Sequence, residues 1–539
     1  MSDEIKHECG VAMVVLRRPP SPVGDFGGTK LSLLMEKQHN RGQDGAGAAV
    51  LSADREPGEK PWWVAKSASS TPLADLLGMI GKRTPGRSER IFLGHLRYAT
   101  FGKNEVAFCH PFIHEASELA HTLLLAGNFN LTNAHELFEE HRRHGAFPTS
   151  KSDGYLICEM VARGLEGKRS LAGSLRHALA GADGAWTLCG ATGDGWAFAT
   201  RDPHGIRPGW YFANDDVVAV ASERPAIQAA FDVPPEAVKE LPPGKALVVS
   251  PEGEVSFAKL SPHAPRRPCV FERIYFSRAN DADIHSERKA LGAALVPKIL
   301  EASEAPIEDI FFSYIPNSAR IAFHGMLDRL FGERGKVRFG EVAVKDAKFR
   351  TFIADAAARR EFYKHVYDVT YGLVRPGADT LVVLDDSIVR GNTMKNAILP
   401  MLDRLGPKRI VVASSAPPIR YPDCYGIDMS TLGELVAFRA LVDLLGESAE
   451  DELRSSPLAS LYARFTDERH CAEIARLLTP PGMKAEVRVV YQSVDALHAA
   501  CPESSGDWYF TGEYPTPGGF RVLQTALKHY LERNNERSY

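Results

Sequence analysis

Cysteine is scarce in this chain: eight in 539 residues, at positions 9, 109, 158, 189, 269, 424, 471 and 501, with no pair spaced C-x-x-C. That excludes a disulfide framework and a zinc finger, and points to reduced thiols in a cytoplasmic protein. No run of about 18 consecutive apolar residues exists, so no membrane-spanning helix is expected. The first ten residues, MSDEIKHECG, are charged and do not read as a secretory signal. An excess of one charge is missing too. Lys+Arg is 64 against Asp+Glu 68, a net charge of −4, which argues against a nucleic-acid partner. There is no internal repeat at a 20–50 residue period and no low-complexity tract.

What remains is an ordinary globular balance, 44% hydrophobic and 24% charged. At roughly 150 residues per domain, the length suggests three to four units or two large ones. The first half carries short apolar runs closed by Gly, Asp or Asn, at 11–16, 45–51, 91–96, 122–126, 185–189, 196–199, 217–221 and 245–249. These read as strands. Helices are expected at 31–37 and 155–163, the second after a Ser152-Asp153 cap. Three prolines in 261–268 mark a boundary. Beyond it, strand-like runs at 310–314, 381–384 and 410–413 alternate with helix-like 285–301, 321–332 and 392–405, the last expected to kink at Pro400. That alternation is the signature of a parallel sheet. The last 90 residues read as helix and loop, with Phe520, Leu523, Leu527 and Leu531 on one docking face.

The string LVVLDDSIVRGNT at 381–393 is the sharpest local signal. A buried strand ends in two acids, and a short loop leads into a helix whose unpaired N–H groups face an anion. Ser387, Thr393 and the Gly391 backbone can donate to a phosphate, while Asp385 and Asp386 lie where sugar hydroxyls or a hydrated Mg²⁺ would sit. The string resembles the phosphoribosylpyrophosphate (PRPP) loop of phosphoribosyltransferases. The resemblance implies ribose contacts for Asp385 and Asp386, and a phosphate held by Ser387, Arg390, Gly391 and Thr393. The turn at 314–318, YIPNS, resembles the family's pyrophosphate-binding turn, with Asn317 where an acid is usual and Ser318 as a magnesium helper.

In the first half, Cys9 precedes a strand. It is followed by RGQDGAG at 41–47, GHLRYAT at 94–100, GNFNLTN at 127–133, SDG at 152–154, RDPHGIRP at 201–208 and Ser222-Glu223. Amide hydrolysis through a thioester needs a thiolate, a base and oxyanion donors. The ordered set resembles class II glutamine amidotransferases, whose N-terminal cysteine is the nucleophile and whose α-amine is the base. The resemblance implies Asn128 and the backbone N–H of Phe129 as the oxyanion donors, Arg97 as the partner of the glutamine α-carboxylate and Asp153 as that of its α-ammonium. That family carries glycine where Phe129 stands, and a positive φ would be costly for phenylalanine.

The fusion of both halves resembles the glutamine PRPP amidotransferase family, helped by CVFERIYFSR at 269–278, SAPPIRYP at 415–422, YGID at 425–428 and FTGEYPT at 510–516. The resemblance implies an α+β N-terminal-nucleophile hydrolase domain over 9–255, with stacked antiparallel sheets between helices. An α/β phosphoribosyltransferase domain with a parallel sheet follows over 265–450, and a helical and loop extension over 451–539. It implies glutamine and PRPP as substrates, 5-phosphoribosylamine, glutamate and pyrophosphate as products, and Mg²⁺ held by Ser318, Asp385 and Asp386. It also implies purine nucleotide inhibitors and a homo-oligomer. Residues 1–8 read as a propeptide removed before Cys9. Some members hold an iron–sulfur cluster, but the family's C-x-x-C is GDWY at 506–509 here, so none is expected. A lid is expected near 345–353. His110 and His114 are separated by Pro111 and are not expected to bind a metal. Three other readings stay open: a different glutamine-dependent synthase, a nonenzymatic PRPP sensor, and an ammonia-only transferase with a silent glutaminase.

Overall fold

The computed structural model describes residues 8–539 except 19–24, 54–57, 87, 100–104, 317, 346–366, 535, 537 and 539. Among the described residues the first half contributes thirteen strands: β1 (Gly10–Leu16), β2 (Gly45–Ser52), β3 (Trp62–Ser67), β4 (Glu89–Arg97), β5 (Phe112–His114), β6 (Leu123–Leu131), β7 (Gly184–Thr192), β8 (Ala197–Arg201), β9 (Trp210–Ala213), β10 (Val217–Ala221), β11 (Lys239–Glu240), β12 (Lys245–Val249) and β13 (Val255–Lys259). They form two antiparallel sheets, ordered β11-β9-β10-β1-β4-β2-β3 and β13-β12-β8-β7-β6-β5. The sheets stack face to face. On β1, Val11, Met13 and Val15 point into the core between them, while Ala12, Val14 and Leu16 pack on the helices Phe26–Lys37 and Arg224–Phe231. Both faces of β1 are therefore buried, which is why its sequence is a continuous apolar run rather than an alternation. The second sheet is covered outside by the helices Asp153–Glu166 and Leu171–Leu179. The result is helix, sheet, sheet, helix, as expected for this half.

The second half builds β14 (Ile310–Tyr314), β15 (Arg338–Phe339), β16 (Ala343–Lys345), β17 (Tyr367–Val369), β18 (Thr380–Asp385), β19 (Arg409–Ser414) and β20 (Glu486–Tyr491). Five of them form a parallel sheet, β15-β14-β18-β19-β20, between the helices Ala282–Ser303 and Arg320–Arg334 on one face and Val436–Leu445 and Asp467–Leu478 on the other. β16 and β17 pair as a separate ribbon.

Three expectations need correction. The stretch after 450 is not only helix and loop, because β20 completes the parallel sheet beside β19. Its EVRVVY alternates charged and apolar residues, as suits an edge strand. The 392–405 helix distorts earlier than Pro400: a π turn spans Met394–Ile398, before the helix Leu399–Asp403. Pro400 has no N–H to return to the carbonyl four residues back, and the ladder adjusts there. In the C-terminal helix Pro517–Leu531, Val522 and Ala526 are the deeply buried residues. Leu523, Leu527 and Leu531 are partly buried beside them, and Phe520 stays about half exposed against the edge of Tyr514. The lid sequence beyond residue 345 lies outside the described residues.

The halves meet over a buried polar seam. Arg41 is fully buried; its Nε donates to Glu223 at 2.7 Å and its Nη1 to Glu272 of the second half at 3.2 Å. Asn40 donates to the Phe276 carbonyl and Asn130 to that of Cys424.

Candidate active sites

Cys9 sits at the mouth of β1, beside the end of β4. The Tyr98 N–H donates to its Sγ at 3.3 Å. Burial pushes the thiol up to about 11; the Tyr98 backbone and the Arg97 charge pull the other way, and Asp153 and Asp44 add to the rise. Arg97, Asp153 and Asp44 therefore all lie within electrostatic reach of the sulfur. The Asp44 carboxylate, within the RGQDGAG motif, accepts the Ala99 N–H at 3.1 Å and braces the segment that holds the thiol.

Asn128 and Phe129 lie on β6, in register with Thr187 and Trp186 of β7. The Gly127 N–H donates to His110 Nδ1 and its carbonyl accepts from His95 Nε2, each at 3.1 Å. Residues two apart on a strand direct their amides to the same edge, so the Phe129 N–H also points away from β7. Phe129 has no positive φ, which removes the steric objection raised by its side chain. Its ring stacks on His110 at 5.5 Å between centroids and fills the space over Gly154, where a Cβ would come within 2.5 Å of it. His95 and His110 are themselves stacked at 3.9 Å. Burial lowers both, His95 to about 3, so they stay neutral.

Glu8 is the residue that sequence reasoning missed most plainly. It is 2% exposed. Its carboxylate accepts from Asn128 Nδ2 at 3.3 Å, pairs with Arg207 and lies 3.9 Å from Arg41. Arg207 is fully buried, and its Nε and Nη2 have no hydrogen-bond partner among the described residues. Nothing local in the sequence marks Glu8; its contacts come from residues 33 to 199 positions away.

In the second half, Asp385 ends β18 and Asp386 follows it. Ser318 and Ser387 both hydrogen-bond the Asp386 carboxylate, the latter at 2.9 Å. Burial, with Asp386 alongside, pushes Asp385 well above the usual carboxylate range, and burial raises Asp386 too. Two adjacent buried acids with a hydroxyl beside them are a donor set that suits a divalent cation. Ser415 and Ala416 fix the turn by donating to the Asp385 and Asp386 carbonyls, each at 2.9 Å. Arg288, another residue without a sequence signal, donates from the Ala282–Ser303 helix to the Arg273 and Ser277 carbonyls, each at 2.7 Å, within electrostatic reach of Asp386. Burial lowers its guanidinium to about 10, against the pull of Asp386.

Gly391 adopts φ 78°, and a Cβ there would sit 2.2 Å from Leu478. Arg390 is turned toward Glu434, at 2.7 Å, and the Asp428 carbonyl, at 3.1 Å. Tyr98, whose backbone N–H holds the thiol, reaches Asp428 from the other side with its hydroxyl at 3.5 Å. The two sites thus abut through Tyr98, Asp428 and Arg390. Asn317 lies outside the described residues.

Residues 506–509, where the resemblance places the C-x-x-C of some members, are packed against the chain: the Tyr509 hydroxyl meets Cys269 Sγ at 3.5 Å and accepts the Phe271 N–H at 2.8 Å. Trp508 packs against Tyr425 and donates to Asp423. His114 bonds Glu159 and Glu166, at 3.0 and 3.1 Å. Among the described residues no group of three or more His, Cys, Asp or Glu is arranged to hold a metal.

No protein-family model matches the chain. Among curated proteins, it is 30% identical over 486 residues to the amidophosphoribosyltransferase of Bacillus subtilis, covering 88% of this chain and 94% of that one. The Escherichia coli amidophosphoribosyltransferase is 30% identical over 383 residues, 65% of this chain and 70% of that protein. The Archaeoglobus fulgidus protein of the same name is 29% identical over 360 residues, 66% and 74%. Among solved structures, the B. subtilis glutamine PRPP amidotransferase complexed with ADP and GMP superposes with a TM-score of 0.71 at 24% identity. It covers 94% of this chain and 97% of that one, a likeness of fold.

Proposed function

The chain belongs to the amidophosphoribosyltransferase family, and on that premise we propose how its residues divide the reaction. The activity is glutamine-dependent phosphoribosyl transfer, the first step of purine biosynthesis: glutamine, PRPP and water give 5-phosphoribosylamine, glutamate and pyrophosphate. The observation that supports the assignment of roles is the abutment, through Tyr98, Asp428 and Arg390, of the Cys9 site and the Asp385–Thr393 loop.

In this reading, Arg97 binds the α-carboxylate of glutamine and Asp153 its α-ammonium. The Cys9 thiolate attacks the side-chain amide carbonyl. Asn128 Nδ2 and the Phe129 N–H stabilise the oxyanion. The α-amine of Cys9 takes the thiol proton and delivers it to the departing ammonia. Water then releases glutamate from the thioester. In the second site, Asp385 and Asp386 hold the ribose hydroxyls of PRPP, and Ser387, Gly391 and Thr393 hold its 5′-phosphate. Ammonia attacks C1 of the ribose, and pyrophosphate leaves. Mg²⁺, held by Asp385, Asp386 and Ser318, would neutralise the pyrophosphate charge when bound. Arg390 acts through Asp428 and Glu434 to position the loop.

We assign residues 1–8 as a segment removed before Cys9. The nitrogen of Cys9 is an amide while Glu8 is attached, and the Glu8 carboxylate occupies the Asn128 amide that the oxyanion needs. Cleavage supplies the base and frees the donor together. We further propose that no iron–sulfur cluster is needed, because Tyr509 and Trp508 do the packing at that position. The ADP and GMP in the B. subtilis structure support purine nucleotides as ligands of this chain as well. Eight free cysteines suit a reducing, cytoplasmic setting.

The test is phosphoribosylamine formation by the purified enzyme. The expected result is product with glutamine, dependent on PRPP and Mg²⁺, with glutamate released in equal amount. Glutamate release with no PRPP consumption would refute the transferase half.

A further inference from the structure

A cavity of about 1110 Å³ lies on the far edge of the parallel sheet, bounded by β20, the Ala282–Ser303 helix and the Asp467–Leu478 helix. It is of the size that holds a small molecule. Its polar lining is unusual. His470 is 3% exposed and neither ring nitrogen has a hydrogen-bond partner among the described residues; the Tyr491 hydroxyl, on a residue 4% exposed, and Arg420 Nε have none either. Buried polar atoms without partners are uncommon in native folds and ask for an explanation.

These groups converge. Arg420 lies over the Tyr462 ring at 5.2 Å, and His470 meets the same ring at 5.4 Å. Lys298 and Arg420 both act electrostatically on Cys471, which in turn acts on Tyr491, as does Asp385 from two strands away in the sheet. The acids of the cavity are spent or peripheral. Glu304 and Glu486 pair with Arg409 and Arg488. Asp467 lies 3.4 Å from Arg420 but is largely exposed, and Glu468, Glu301 and Asp495 are exposed at the mouth. Deep inside, the groups are donors: a guanidinium N–H, a phenol and an imidazole, with the Lys298 amine near them. The walls between, including Pro418, Ile474, Val489 and Phe510, are apolar.

We propose that this cavity, lined by none of the residues assigned to either active site, is a binding site for a small phosphate monoester with an apolar body. The phosphate would take the Arg420, Lys298, His470 and Tyr491 donors, and the body would lie on the apolar wall.

Cys471 is half-buried in the same cavity and reports on it directly. The experiment is alkylation of the full chain by N-ethylmaleimide, with the rate at the Cys471 peptide read by mass spectrometry and phenyl phosphate as the probe. Inorganic phosphate, in a second arm, separates recognition of the phosphate alone from recognition of the body. The expected result is slowing at Cys471 of about fivefold or more by phenyl phosphate, less by inorganic phosphate, and none in Arg420→Gln or His470→Leu. Unchanged reactivity at Cys471, or slowing that persists in both variants, would overturn the proposal. If Cys471 resists alkylation, equilibrium dialysis with labelled phenyl phosphate replaces it. One site fewer in Arg420→Gln supports the proposal, and equal stoichiometry overturns it.

Discussion

The Asn128 amide is spent on the Glu8 carboxylate; the proposed removal of residues 1–8 would free it to face an oxyanion. Asn128→Ala should therefore lower glutamine-dependent kcat by about 10²–10³, the cost of one oxyanion donor, and leave ammonia-dependent turnover unchanged. Steady-state rates with the two nitrogen donors check this. The Glu8 contacts also bear on processing. Intact-mass measurement of active enzyme should give a chain starting at Cys9; full glutamine turnover by a chain that keeps residues 1–8 would contradict the assigned base. Cys9, Arg97, Asn128 and Asp153 stand out in the sequence because each lies in a short motif whose residue types suit one chemistry. Glu8 and Arg288 do not, since each gains its contacts from partners elsewhere in the chain.

At the scale of elements, loop and strand geometry sets the chemistry. Gly391 is required twice, by its positive φ and by Leu478 facing it. Gly391→Ala should cost about 2–3 kcal/mol in stability and raise KM for PRPP, read by urea denaturation and by initial rates at limiting PRPP. On β5, His114 is held between Glu159 and Glu166, and the Glu159 hydrogen bond raises its pKa. A raised folded pKa contributes stability that is fully present below the unfolded value of about 6.5 and fades as pH rises through the folded value. Wild type should therefore exceed His114→Gln in urea midpoint at pH 5.5, with the gap closing by pH 8.5. The effect is small because Glu166 is half exposed. Strands were legible wherever both faces are buried, as in β1, β18 and β19. β20 was not, because an edge strand carries charges in its run. The π turn before Pro400 was displaced from expectation because proline acts on the carbonyl four residues upstream.

For the whole molecule, a strand-rich first half, a proline-marked boundary at 261–268 and a strand–helix alternation beyond it could be read from the residues; the antiparallel stacking of the first half was implied by the resemblance alone. The contact between the halves could not be read. Arg41, Glu223 and Glu272 close that seam from three separate motifs, and only folding shows that they meet. The seam brings Tyr98 within 3.5 Å of Asp428 and so sets the thiol's neighbourhood beside the PRPP loop. The central claim is that one site makes ammonia and the adjoining site consumes it. The most direct measurement compares Cys9→Ala with Asp386→Asn, each assayed for phosphoribosylamine with glutamine and with ammonia. The account predicts that Cys9→Ala loses glutamine-dependent activity and keeps most ammonia-dependent activity, while Asp386→Asn loses both. Equal loss with both donors in Cys9→Ala, or normal rates at limiting PRPP in Asp386→Asn, would contradict it.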